Sequence, residues 1–219
     1  MKNEDYIEIP PYSIERDGQK TSELFYEKMA KRRSIRSFSP EPIDKSILLN
    51  AIKTAGTAPS GANRQPWHFA LITSLEKKIK IRQAAERVEE EFYSYKATEE
   101  WLSDLKPFGT NAIKTYLSEA PALIAVFSRT MCHDEGSLRR SYYPIESTGI
   151  AVGLLLAALH NAGLATLTHT PKPMFFLNEL LNFDKSYRPY IIVVVGKPKI
   201  PVRVPNIHRK KIAEIMTEF

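Results

Sequence analysis

Residues 144–163, PIESTGIAVGLLLAALHNAG, constrain this chain more than any other stretch. The run predicts a helix, and Ile150, Val152, Leu154, Leu155, Leu156 and Leu159 wrap most of its circumference. A helix apolar nearly all round must be covered on more than one side, at the centre of a domain or at a subunit interface. Gly149, Gly153 and Ala157 add a strip of small residues that admits another helix at close range. The nearly apolar part, 150–159, has about half the length needed to span a bilayer, so the helix belongs to a soluble core. A second constraint is the fully apolar run at 190–195, which reads as a strand central in a sheet.

Around these two runs the pattern predicts helices over 22–31 and from a cap at Asp44 to Gly56, then a strand over 68–73. A charged helix follows from 75 to beyond 95. Residues 101–110 read as irregular, because Pro107 and Gly109 break a helix, and Lys114 is expected on a short helix after them. Strands are expected at 122–128 and 164–169, a polar loop at 129–140, and a short helix ending at 177–181. Three segments result: an extended N-terminal arm over 1–20, where Pro10 and Pro11 exclude helix, one domain over 21–196, and a tail over 197–219. A tail without a core of its own must lie on another surface, such as a partner chain's.

The chain's 219 residues suffice for one large domain. Lys plus Arg exceed Asp plus Glu by 31 to 25, too small a surplus, without basic blocks, to suggest nucleic acid, but in keeping with an anionic cofactor or substrate. Cys132 is the single cysteine, which excludes an intrachain disulfide or thiolate metal cluster and fits a reducing, cytoplasmic compartment. The polar, acidic N-terminus has no signal-peptide pattern. No metal-ligand spacing, G-x-S-x-G elbow, GxGxxG or P-loop is present.

Chemistry concentrates in two places. The stretch 54–67, TAGTAPSGANRQPW, carries too much punctuation for a helix or strand, and its small residues leave room for a large flat partner. Upstream, RRSIR places Arg32, Arg33 and Arg36 beside Ser34, a set that suits phosphate, because planar guanidinium forks bind oxygens bidentately. Either feature alone would also serve as an ordinary surface turn or a solvated helix end.

Together with IIVVVGKP at 191–198, these motifs resemble the nitroreductase superfamily of FMN proteins in type and order, over about residues 25–216. Within it the chain is most similar to the iodotyrosine deiodinase branch, in which a lid carries a glutamate, a tyrosine four residues later and a lysine further on. Glu89 and Tyr93, ahead of EEW and FGTNAIK, and Lys114, at the end of FGTNAIK, stand at those places, and TAPSGA is unbroken at 57–62.

The resemblance implies an α+β fold with a central, mostly antiparallel sheet flanked by helices, in an intertwined homodimer that exchanges C-terminal tails. Arg32, Arg33, Ser34 and Arg36 would hold the FMN phosphate and the polar edge of its ring, and Pro59, Ser60 and Gly61 would line the flavin. Thr168 would face flavin N5, with His169 and Thr170 beside it. His169 stands where some relatives have a small polar residue, which leaves a backbone role intact. Arg209 would reach the cofactor across the dimer interface. In a lid spanning about 89–114, Glu89 would pair with the substrate ammonium, and Lys114 and Tyr93 with its carboxylate. The Ala62 amide would favour the phenolate, making Thr168 and Ala62 the catalytic candidates. The implied activity is reductive dehalogenation of halotyrosines, iodotyrosine to tyrosine plus iodide, through reduced flavin and single-electron steps. NAD(P)H or a reductase would supply the electrons. The alternative is a general FMN nitroreductase or flavin reductase. No metal, nucleic acid or membrane partner is expected, as in soluble bacterial members.

Overall fold

The apolar runs find one another in a single sheet. In the computed structural model, which describes residues 9, 17–134 and 136–219, four strands pair in the order β1-β2-β6-β5. They are β1 (Trp67–Ile72), β2 (Ala122–Arg129), β5 (Ala165–His169) and β6 (Tyr187–Gly196). All three pairings are antiparallel. The run at 190–195 is interior to the sheet, between β2 and β5, as its lack of polar residues requires.

Both faces of the sheet are buried, and strand alternation decides which residue goes where. Leu123, Ala125, Phe127, Ile192 and Val194 face one cluster, whereas Ala122, Ile124, Val126, Val193 and Val195 face the other. The first is closed by Ile81 and Ala85 of α3 (Leu75–Glu91), Leu117 of α5 (Tyr116–Glu119) and Leu177 of α7 (Phe176–Leu181). The second is closed by Leu48, Ala51 and Ala55 of α2 (Lys45–Gly56) and by Val152, Leu155 and Leu159 of α6 (Pro144–Asn161). The result is the α+β arrangement, an antiparallel sheet flanked by helices, that the family resemblance implies.

The chain divides into two units, residues 1–32 and 33–219. In the first, α1 (Gly18–Ala30) is capped by Asp17, whose side chain accepts from the Lys20 amide. The arm expected over 1–20 lies mostly outside the described residues, and α1 begins within its last three. In the second unit, two expectations fail. Residues 129–140 are not a loop: β3 (Met131–Asp134) and β4 (Ser137–Arg140) pair as an antiparallel hairpin, with Gly136 at φ 79°. Residues 101–108 are not irregular either. A helix, α4 (Glu99–Leu105), is capped by Thr98 and runs into a 3₁₀ turn (Lys106–Phe108), where Pro107 sits at a tolerated early position.

Helix α6 buries one face only and leaves Ile145 and Ile150 exposed. The tail returns to its own chain as far as Val204, which packs on the first core cluster, and Pro205, whose carbonyl accepts from Arg33 Nη2. Beyond it, Ile207, Ile212, Ile215 and Met216 are exposed. Among the described residues no helix is long and apolar enough to cross a membrane.

Candidate functional site: a cavity under a buried ion pair

Helix α3 ends at Glu91 and continues as one π-helical turn (Phe92–Lys96), a local irregularity frequent at functional sites. This junction carries Glu89 and Tyr93. Opposite them, residues 111–115 are tied to α3 because Glu86 accepts both the Lys114 amide (2.7 Å) and Arg82 Nε (2.8 Å). Lys114 therefore sits just before α5, not on it.

These elements and the end of β5 border a half-open cavity of about 340 Å³, lined among others by Arg36, Glu89, Tyr93, Lys114, Thr168 and Thr170. Glu89 Oε2 and Lys114 Nζ pair at 3.1 Å with side chains 13 % and 4 % exposed. Lys114 also donates to Thr110 Oγ1 (3.1 Å), which lies 3.4 Å from the Tyr93 hydroxyl, and sits 5.3 Å from the Tyr93 ring centroid. Burial holds the Lys114 ammonium below its ordinary range, and the Glu89 carboxylate opposes that shift. Burial first, then the Glu89 charge, pushes the Tyr116 phenol up. Phe92 packs edge-on against Tyr93 and Trp101, and all three rings line the cavity. Arg36 lies over the Phe108 ring at 5.8 Å. A pocket lined by a carboxylate, an ammonium, a phenol, a guanidinium and threonines suits a small zwitterion next to an anionic cofactor.

The nitroreductase family model matches residues 29–197. The chain is 45 % identical over 196 residues to an iodotyrosine deiodinase of Haliscomenobacter hydrossis, covering 89 % of this chain and 88 % of that one. It belongs to the nitroreductase family, in the iodotyrosine deiodinase branch. An iodotyrosine deiodinase of Hydra vulgaris is 42 % identical, covering 99 % of this chain and 80 % of its own. The fold also matches a crystal structure of oxidized iodotyrosine deiodinase bound to FMN and 3-iodo-L-tyrosine, with TM-score 0.75 and 33 % identity over 86 % of this chain and 96 % of that chain.

The family's motifs do not all meet inside one chain. Arg36, Glu89, Tyr93, Lys114, Thr168, His169 and Thr170 share the cavity. Ser34 is exposed, and its backbone bridges to Thr166 beside β5. Arg33 is turned to the Pro205 carbonyl. Pro59, Ser60, Gly61 and Ala62 are not among the cavity's lining residues, and Gly61 instead bridges to Tyr142. That loop is held by its backbone: Ala62, Asn63 and Gln65 have φ of 49°, 52° and 47°, a region non-glycine residues rarely adopt. Strain of this kind persists where the surroundings over-determine it, and it clusters at functional sites. Arg32 lies in the first unit and Arg209 in the exposed tail.

Sequence reasoning missed Tyr116 and the His169 side chain. Tyr116 had no signal, since its partner is 53 residues away. For His169 the alternation of TLTHT was a usable one, because it turns His169 away from Thr168 and Thr170. Among the described residues no group of three or more His, Cys, Asp or Glu is placed to hold a metal ion.

Proposed function

We propose that this chain is an FMN-dependent reductive dehalogenase of halotyrosines. The observation that carries the reading is the buried Glu89–Lys114 pair with Tyr93 at the cavity wall. Two opposite charges kept out of water are stable only while paired. A ligand carrying both an ammonium and a carboxylate exchanges that pair for two new ones, whereas a ligand with one charge leaves a buried partner alone.

The residues fit the cofactor. Arg36 and the Thr168 and Thr170 hydroxyls line the cavity. Arg33 retains donors for a phosphate, since a guanidinium has five and one carbonyl takes one. When bound, FMN supplies the reducing electrons that no protein side chain can deliver. Glu89 takes the substrate ammonium, and Lys114 and the Tyr93 hydroxyl take its carboxylate. Thr168 would hold the flavin edge, and the Ala62 amide, brought by a second copy, would favour the phenolate over the phenol. Lid residues 89–114 exclude water around the reacting carbon. Per turnover, two electrons and one proton convert the carbon–iodine bond to carbon–hydrogen and release iodide. The electrons come from NAD(P)H or a reductase, in a cytoplasmic setting that suits the single free cysteine.

The working unit in this reading is a homodimer. The 59–62 loop lies off the cavity of its own chain, and α6 and the tail expose Ile145, Ile150, Ile207, Ile212 and Ile215. A second copy that covers these residues brings its own loop, and Arg209 with the tail, to the cavity of the first.

The test compares the protein with its Thr168→Ala variant in two anaerobic assays, iodide release from 3-iodotyrosine and reduction of a nitroaromatic. The expected outcome is a yellow protein that releases iodide and a variant that loses this activity by about tenfold or more while nitroaromatic reduction persists. A yellow protein that reduces nitroaromatics and releases no iodide is a general nitroreductase, and the reading fails.

A further inference from the structure

The imidazole of His169 lies against the back of the substrate-binding carboxylate. It is 6 % exposed, whereas Thr168 and Thr170 on either side are exposed. Its ring meets that of Tyr116 edge-on at 5.8 Å, with the Tyr116 hydroxyl 3.3 Å from Nδ1. Nε2 is buried without a hydrogen-bond partner and lies 3.9 Å from Glu89 Oε1. Oε2 of the same carboxylate holds Lys114. The charged and titratable groups around the ring are thus Tyr116, Glu89 and Lys114, with Arg36 on the same cavity.

Burial, and then the Lys114 charge, brings the His169 pKa down from 6.5 to about 3, so the ring is neutral and carries one N–H. Its position follows from the neighbours. A lone pair on Nε2 would face the Glu89 carboxylate and be repelled, whereas an N–H there is attracted. The Tyr116 phenol, kept protonated, donates to Nδ1 and completes the arrangement.

We propose that His169 is a positioning residue for Glu89: its Nε2–H holds Oε1, and Tyr116 sets the tautomer. The proposal rests on the reading that Glu89 receives the substrate ammonium. When Lys114 turns to the substrate carboxylate, Glu89 gives up its present partner while still buried. A second donor then keeps the carboxylate aimed into the cavity. The gap needs to close by about 1 Å to reach hydrogen-bond length, the scale on which binding-site contacts tighten when ligand arrives.

The test uses the FMN-loaded oxidised protein without reductant, so that 3-iodotyrosine binds and does not react. Affinity is measured by calorimetry for the wild type, His169→Gln and His169→Leu. Nitrogen NMR of the wild type reads the tautomer directly and needs no variant to fold. The expected spectrum is neutral with the proton on Nε2, unchanged from about pH 8 to about pH 5. His169→Leu is expected to bind about tenfold or more weaker, the scale of a hydrogen bond to a charged group. His169→Gln, whose amide nitrogen reaches the Nε2 position, stays within about threefold of wild type. The ratio of kcat/KM for 3-iodotyrosine over 2-iodophenol, which has no ammonium, falls with the Leu variant. A proton on Nδ1, a ring that titrates near its ordinary value, or equal losses in the Gln and Leu variants overturns the proposal. If the wild type binds and His169→Leu binds equally well, the proposal alone fails. A wild type that does not bind 3-iodotyrosine sinks the proposal together with the function it rests on.

Discussion

At the proposed lid, Glu89, Tyr93, Thr110 and Lys114 meet through side chains, with an ion pair at 3.1 Å in a nearly dry wall. At the 57–66 loop most side chains are small or exposed, Arg64 and Pro66 excepted, and the backbone carries the shape. Three non-glycine residues have left-handed φ, and Gly61 lies so close to Tyr142 that an added Cβ would stand 2.9 Å from the Tyr142 Cβ. One half of the proposed site thus works by charge in a low-dielectric wall, and the other by presenting backbone. Charge-removing substitutions should therefore act at the lid through substrate choice. At the loop, added volume should act through stability.

The largest expected effect is at the lid. Glu89→Gln leaves Lys114 without its anion and removes the proposed ammonium site, and loss of a buried charge pair is typically worth about 2–5 kcal/mol. The kcat/KM for 3-iodotyrosine should fall accordingly, and far more than for 2-iodophenol. Equal losses on both substrates would mean that the carboxylate only supports the lid, and the contrast between the halves would break.

The middle effect is at the loop. Gly61→Ala forces Tyr142 or the loop to move, a kind of overpacking that costs about 1–3 kcal/mol. A lower Tm, with an unchanged preference for 3-iodotyrosine over 2-iodophenol, is expected. A changed preference with an unchanged Tm would show the loop reading substrate through side-chain space instead.

The smallest effect is in pH. His169 is held below its unfolded pKa, so the unfolded chain binds a proton that the folded chain refuses between 6.5 and about 3. Its contribution to stability is full above 6.5 and is lost as pH falls through that window, by about 1 kcal/mol over the first unit. Denaturant titrations across that unit should show a shallower slope for His169→Gln and an unchanged slope for Gly61→Ala. A slope that His169→Gln leaves intact would place the pH dependence elsewhere.

The legible parts of the fold were those in which one local pattern decides. Residues 122–127 and 190–195 are apolar without interruption, as interior strands require. Asp44 announces α2 through its bond to the Ser46 amide. The hairpin of β3 and β4 was hidden because its second strand, Ser137–Arg140, is exposed throughout and shows no apolar alternation. Helix α4 was hidden by Pro107 and Gly109, which lie past its end, although Thr98 followed by Glu99 and Glu100 is a legible helix start. Glu89, Tyr93, Lys114 and Thr168 were nameable through the resemblance to the deiodinase branch. Their arrangement was not, since Lys114 lies 25 residues from the carboxylate it meets.

By itself, the sequence determined which segments must be buried on both sides, and that cationic and small-residue motifs stand ready for an anionic, flat cofactor. These follow from periodicity and residue chemistry, which are local. The tertiary structure decided that Glu89 and Lys114 close on each other, that His169 turns its Nε2 to the same carboxylate, and that the 59–62 loop lies off the cavity of its own chain. The physical reason is that a buried charge takes whatever partner packing brings within reach, and packing joins residues whose separation along the chain carries no signal.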